Sequence, residues 1–313
     1  MKSLEIKTHN SDPNFSIVMP GGCNAACSFC FNKSKKNQVD EIDQFEWIFG
    51  LQDYLKLLPD KFYQISITGN EPMISPIIDG VLSLCGRFKE RYSNILLTTN
   101  GTNLLKKIDQ VSAGVHHINI SRHHFDEAVN MKIFGGQYHV TDEELIEIVD
   151  RYSAIGVDVS LNCVINDKTE YSFIMEYVGW ANTIGVKAVR FRKQNGKNID
   201  LTPVEKMIDR DYPILHRGQC PVCRTYHRVI LGLDTYWKAA IIEPTDKIKD
   251  SVYELVYDVD GILYCDWNRN IPFDEFVGEQ VKNMAKSHFE AYDNCGNIID
   301  YNSCGFSLRG DHC

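Results

Sequence analysis

The first 195 residues alternate strand-like and helix-like segments, and this alternation restricts the fold more than any other feature of the chain. Six strands are predicted at "FSIVM" (15–19), "FYQISIT" (62–68), "NILLTT" (94–99), "VHHINIS" (115–121), "VDVSLNCVI" (157–165) and "VKAVRFR" (186–192). Helical apolar spacing marks 40–58, 75–92, 101–111, 141–156 and 169–185, with Thr141 and Glu144 forming a capping box at one start. The stretch 121–140 reads as a polar loop. Parallel strands joined by helical crossovers give either an open doubly wound sheet or a barrel, and both put the active site at the carboxyl ends of the strands. The eight strands of a full barrel are not visible. The expectation is therefore an α/β fold, a partial (β/α)6 TIM-like barrel.

Beyond about residue 195 the pattern changes. Helix thins out, "VYELVYDVDGILYCDW" (252–267) signals a hairpin around Asp260-Gly261, and six of the eleven cysteines follow. A smaller, cysteine-rich unit over 196–313 is expected. The chain has 313 residues, 43% of them hydrophobic and 24% charged, so it can bury a core without disulfides. Its net charge of −9 and pI near 5.6 speak against a bulk nucleic-acid partner. The first residues carry no signal-peptide pattern and no apolar run reaches membrane-spanning length, so a cytoplasmic protein without a membrane partner is expected. In such a compartment clustered cysteines read as metal ligands.

The cluster that matters most is "GGCNAACSFCF" (21–31), directly after the first strand. Cys23, Cys27 and Cys30 supply three thiolates from one short loop, with no fourth cysteine before Cys85. Closed zinc and iron–sulfur sites want four protein ligands. Three thiolates on a four-iron cluster leave one iron open, and open positions are where chemistry occurs.

Cys-x3-Cys-x2-Cys after the first strand, with the aromatic Phe29 before the third cysteine, resembles the radical S-adenosylmethionine (radical SAM) superfamily. The resemblance implies a 4Fe-4S cluster whose open iron chelates SAM, reductive cleavage to a 5′-deoxyadenosyl radical, and hydrogen-atom abstraction from a substrate. "TGNEP" resembles the family's SAM amino-binding stretch, matching at Gly69, Glu71 and Pro72, with Asn70 in place of a glycine. "TTNG" is similar to a family pattern and puts Asn100 near the nucleoside. The resemblance further implies ribose and methionine-carboxylate contacts from Ser121 and Arg122, a ribose contact from Asn162, and a carboxylate contact from Arg190 or Arg192. It covers 1–195. The region 196–313 resembles the SPASM/twitch extensions, implying an auxiliary iron–sulfur cluster on Cys220, Cys223 and Cys265 with a fourth ligand from Cys295, Cys304 or Cys313. A zinc site stapling the tail is the alternative. Cys85 and Cys163 read as core residues, as does whichever of His116 and His117 points inward.

The 121–140 loop lies over the predicted strand ends, so His123, His124, Asp126, Tyr138 and His139 are candidates for substrate contact. Lys33, Lys35 and Lys36 could dock an acidic flavodoxin or ferredoxin as electron donor. The substrate is a small molecule or a peptide. The motif's start at residue 23 leaves no room for an N-terminal leader-binding domain, which weighs towards the small molecule. Two other classes stand beside the enzyme: a non-catalytic iron–sulfur carrier or sensor, and a zinc-stapled binding protein.

Overall fold

The structure is a computed structural model that describes residues 5–6, 14–30, 43–57, 64–92, 94–136, 140–194, 199–217, 225–238, 251–252, 254–265, 267, 269 and 272. The elements begin with β1 (Glu5–Ile6), β2 (Asn14–Met19), α1 (Gln44–Leu57), β3 (Gln64–Gly69), α2 (Ile78–Arg87) and β4 (Asn94–Thr99). They continue with α3 (Ile108–Gly114), β5 (His117–Ser121), α4 (Glu127–Ile133), α5 (Asp142–Ala154), β6 (Asp158–Ile165), α6 (Tyr171–Ile184) and β7 (Ala188–Lys193). Then come α7 (Thr202–Asp211), β8 (His216–Arg217), β9 (Thr225–Ile230), β10 (Leu233–Lys238), β11 (Ser251–Val252), β12 (Glu254–Tyr257) and β13 (Leu263–Tyr264).

β2 to β7 lie side by side in sequence order, every neighbouring pair parallel. A doubly wound sheet would reverse direction at a switch point. Sequential order is the winding of a barrel, as expected. The chain then extends both edges: β10 adds in parallel to β7, and β12 adds in parallel to β2. β9 and β8 continue beyond β10, and β13 beyond β12, each antiparallel, giving an eleven-stranded sheet. The predicted hairpin at Asp260-Gly261 is β12–β13, with Gly261 at φ +76°. β1 and β11 pair separately.

The helices cover one face of the sheet because their apolar residues recur at helical spacing. On α5 these are Leu145, Ile148, Val149 and Tyr152; on α2, Ile78, Val81, Leu82 and Cys85. They pack with the outward residues of the strands, such as Phe15 and Ile17 on β2, Leu161 and Cys163 on β6, and Phe191 on β7. The opposite face is different. The alternate positions there are mostly polar, with Ser16 on β2, Ser66 and Thr68 on β3, Thr98 on β4, His117, Asn119 and Ser121 on β5, Ser160 and Asn162 on β6, and Arg190 and Arg192 on β7; Leu96 on β4 interrupts them, and Val18 on β2 packs with Val256, Val259 and Tyr264 at the β12 edge. A closed TIM barrel fills its interior with apolar layers. A polar inner face instead suits a concave surface that holds ligand.

Two helix expectations shift. The predicted 101–111 helix forms only from Ile108, because Asn103 sits at φ +59° and its side chain donates to the Met73 carbonyl, holding 102–106 as turns. The 121–140 segment is not all loop: Asp126 caps α4 by accepting from the Val129 amide at 2.8 Å. The Thr141–Glu144 capping box is present.

Candidate active site

The cysteine loop leaves β2 at the carboxyl edge of the sheet, where Met19 pairs with Gly69 of β3. Gly69 has φ +120°, and a side chain there would meet the Met19 backbone nitrogen at 2.8 Å, so glycine is required for the two strand ends to approach. The loop is then tied down on three sides. The Glu71 amide donates to the Gly22 carbonyl, and Asn70 Nδ2 donates to the Gly21 carbonyl at 2.7 Å. Asn24 donates to Thr102 Oγ1 and accepts from Asn100 Nδ2, while the Ala26 amide donates to the Phe134 carbonyl at the end of α4. Asn70, which replaces the family's glycine, thus acts as a strut under the loop.

Cys23, Cys27 and Cys30 are half-buried on this loop, and none is in a disulfide. They line a cavity of about 220 Å³ together with Phe29, Gly69, Asn70, Glu71, Thr99, Asn100, Ser121, His123, Asn162 and Arg192. Five strand ends therefore converge on the thiols. Among the described residues no three or more His, Cys, Asp or Glu side chains converge as the ligands of a single ion would. Three thiolates from one loop can cap one face of a polynuclear cluster, in which each sulfur takes a different metal atom.

Glu71 is 2% exposed and holds the cavity wall. It accepts from the Thr99 hydroxyl at 2.5 Å, the Asn100 amide at 2.7 Å and the Met73 amide at 3.0 Å. Burial pushes its carboxyl up to about 7, while the Thr99, Asn100 and Met73 donors pull the other way. His123 lies edge-on to Phe29 at 5.0 Å, and its Nδ1 accepts from the Val164 amide. Burial pushes it down to about 3, with Arg122 adding to the effect. It is a neutral imidazole whose Nε2–H remains as the donor.

The candidates from sequence divide. Pro72 is buried at the start of the 3-10 turn that Glu71 caps, and does not line the cavity. Arg122 does not line it either. Its guanidinium is 2% exposed and donates to the carbonyls of His124, Val140 and Phe125 and to Asp142 at 2.6 Å, with Trp180 packed on it. Those contacts tie it into the α4–α5 corner, away from the cavity to which the sequence reading assigned a carboxylate contact. Arg190 also misses the cavity, one pleat below Arg192. His124 turns onto Phe125 and Phe173, and Asp126 is a helix cap. Cys265 is 7% exposed among core residues, and Cys85 and Cys163 are buried as expected. Lys33, Lys35, Lys36, Tyr138, His139, Cys220, Cys223, Cys295, Cys304 and Cys313 lie outside the described residues.

Sequence reading passed over Asn24 and Thr99. Their signal is only polar character inside otherwise recognisable stretches. Their roles, a clasp on the loop and a clamp on Glu71, need the third dimension.

Fold and site together define an α/β domain of sequential parallel strands whose thiol-bearing loop opens onto a ligand-sized cavity at the carboxyl edge. The Radical SAM superfamily model matches residues 17–171, and the chain carries a radical SAM domain there. The GTP 3',8-cyclase of Aliarcobacter butzleri is 23% identical over 205 residues, covering 61% of this chain and 60% of that protein. GTP 3',8-cyclase 2 of Pseudomonas aeruginosa is 24% identical over 162 residues, 51% of this chain and 47% of that protein. The chain thus spans about half to three fifths of the curated relatives it matches. Among solved structures, Streptococcus suis SuiB bound to precursor peptide SuiA superposes with a TM-score of 0.57 at 16% identity, covering 82% of this chain and 60% of that one. At that identity the likeness is one of fold.

A radical SAM domain implies a 4Fe-4S cluster and SAM, and the residues present fit both. The three thiols are the right donors for the cluster. Asn70 Oδ1 and Asn162 Oδ1 are buried acceptors that line the cavity without a partner among the described residues. The ammonium and hydroxyl groups of SAM are donors of the kind such acceptors need. No helix among the described residues is long and apolar enough to cross a membrane.

Proposed function

We propose that this protein is a radical SAM enzyme that cleaves SAM reductively and abstracts a hydrogen atom from a small-molecule or peptide substrate. The observation that carries the reading is the convergence of Cys23, Cys27 and Cys30 on the cavity lined by Asn70, Glu71, Asn100, Ser121, Asn162 and Arg192. Bound there, the cluster and SAM supply a one-electron reduction and an organic radical. The chain's own residues do the placing. The three thiols hold the cluster and leave one corner without a protein ligand. Asn70 and Asn162 accept from the amino group and ribose, Arg192 meets the carboxylate, and Ser121 and Asn100 orient the nucleoside. Phe29, Phe134 and Val164 give apolar walls that keep water from the reacting atoms. Sequence similarity to GTP 3',8-cyclases supports a small-molecule substrate, while the fold shared with a peptide-bound enzyme keeps the peptide reading in play.

Cys220 and Cys223, with Cys265 and one of Cys295, Cys304 or Cys313, are proposed to hold an auxiliary cluster, and a flavodoxin or ferredoxin is the proposed electron donor. Anaerobic purification, followed by iron and zinc counts and an assay for 5′-deoxyadenosine with reductant and SAM, tests the function. Iron with SAM cleavage is expected; zinc without iron would overturn it. In Cys220→Ala, iron content should fall while a SAM-responsive cluster remains; unchanged iron would remove that pair from the ligand set.

A further inference from the structure

Below the cavity, the polar inner face of β5, β6 and β7 continues. Ser121, Asn162 and Arg192 line the cavity; His117, Asn119, Ser160 and Arg190 do not, and sit nearer the amino ends of the same strands. Strand register keeps them together, with Asn119 opposite Ser160 and Asn162 opposite Arg190. Arg190 Nε donates to Asn119 Oδ1 at 3.1 Å, and the guanidinium lies over Tyr236 of β10 at 4.7 Å. The same oxygen is 3.2 Å from His117 Nε2. One edge of Arg190 is thus fixed, leaving its terminal amino groups as the working end.

The charge on that end is not matched locally. Among the described residues no carboxylate lies within ion-pair distance of Arg190. The carboxylate that acts on it electrostatically, Asp234, is engaged with His227 at 2.9 Å. Burial pulls the Arg190 guanidinium down to about 10, which still leaves it a cation at neutral pH. Around it, the buried atoms Asn119 Nδ2, Ser160 Oγ and His117 Nδ1 have no partner among the described residues. Buried polar atoms without partners are rare, and three on one wall beside an unmatched cation point to a ligand.

We propose that this wall is a substrate subsite that takes an oxyanion, a carboxylate or phosphate group, on Arg190, with Asn119 Nδ2 and Ser160 Oγ as supporting donors. It rests on the radical SAM reading only in calling the ligand a substrate, since SAM's own carboxylate falls to Arg192 one pleat above, about 6.6 Å along the strand. His117, neutral because burial pushes it down to about 3, supplies an acceptor rather than charge. Its Nε2–H faces Asn119 Oδ1, so the donors beside Arg190 for the anionic group are Asn119 Nδ2 and Ser160 Oγ.

The test uses the full chain, cluster-loaded and saturated with SAM, with thermal unfolding followed against added sodium succinate or sodium pyrophosphate at fixed ionic strength. A saturable rise in Tm is expected with at least one: succinate alone marks a carboxylate site, pyrophosphate alone a phosphate site. Arg190→Gln should weaken that response by roughly 10-fold or more, the scale of a lost charged hydrogen bond. The SAM-induced spectral change of the cluster should persist in it. Arg192→Gln should do the reverse. Asn119→Asp places a competing carboxylate on Arg190 and should abolish the anion response, giving a second reading if Arg190→Gln folds poorly. No saturable shift with either anion, or loss of the SAM response in Arg190→Gln, overturns the proposal. Absence of any SAM response in the unaltered protein would instead sink the radical SAM reading, with the anion titration still reporting on Arg190.

Discussion

Glu71 accepts three hydrogen bonds inside the cavity wall, so its carboxylate sets the positions of Thr99, Asn100 and the turn at Met73. Glu71→Gln would turn an NH2 group towards one of those donors. A loss of about 1–3 kcal/mol in stability is expected by urea unfolding, the cost of an unmet buried donor. Titration of Glu71, His117 and His123 together has a net sign. Between its usual 4.5 and about 7, Glu71 keeps a proton in the folded chain that the unfolded chain releases. Between about 3 and their usual 6.5, His117 and His123 lack protons that the unfolded chain binds. From 4.5 to 6.5 the unfolded state thus holds one more proton from these three groups. Stability should fall on acidification through that window, by up to about 1.4 kcal/mol per pH unit. Urea midpoints on either side of the window check this, and His117→Asn should flatten the slope. A midpoint that rises on acidification would contradict the assignment.

At the scale of elements, the cysteine loop owes its shape to neighbours distant in sequence. The end of α4 is the least expected of them. Gly135 follows α4 at φ +81°, and a side chain there would reach the Ala26 Cβ at 2.8 Å, beside the Ala26–Phe134 hydrogen bond. Gly135→Ala should strain the loop between Cys23 and Cys27 and lower iron retention after reconstitution, while circular dichroism stays that of the folded protein. Full iron retention would show that α4 does not buttress the loop. This element also marks a limit of sequence reading. "EAVNMKI" is seven residues with no apolar stripe long enough to register, so its helix became visible only with its Asp126 cap and tertiary contacts. The six core strands were legible because their outward residues are apolar at every second position. β10 and β12 were not assigned to the sheet, because nothing local tells a late strand which edge it will join.

For the whole molecule, the largely polar inner face of β3 to β7 joins fold to function: the helices bury one side of these strands, and the other is left for ligands. The cysteine triplet, Asn70, Glu71, Asn100, Ser121, Asn162 and Arg192, singled out from sequence, line one cavity because each sits at or just beyond a strand end, where chain order fixes place. Arg122 and Arg190 do not line the cavity, and of the pair Arg190 or Arg192 it is Arg192 that does. A strand-end position gives the direction of a long side chain only to within a pleat, and packing decides the rest. Electron paramagnetic resonance of the reduced, iron-loaded protein, recorded with and without SAM, tests the three-thiolate centre most directly. A four-iron signal that shifts on adding SAM, and that is lost in Cys27→Ala along with 5′-deoxyadenosine formation, is the predicted result. A signal indifferent to SAM, or one that survives in Cys27→Ala with cleavage intact, would contradict the account.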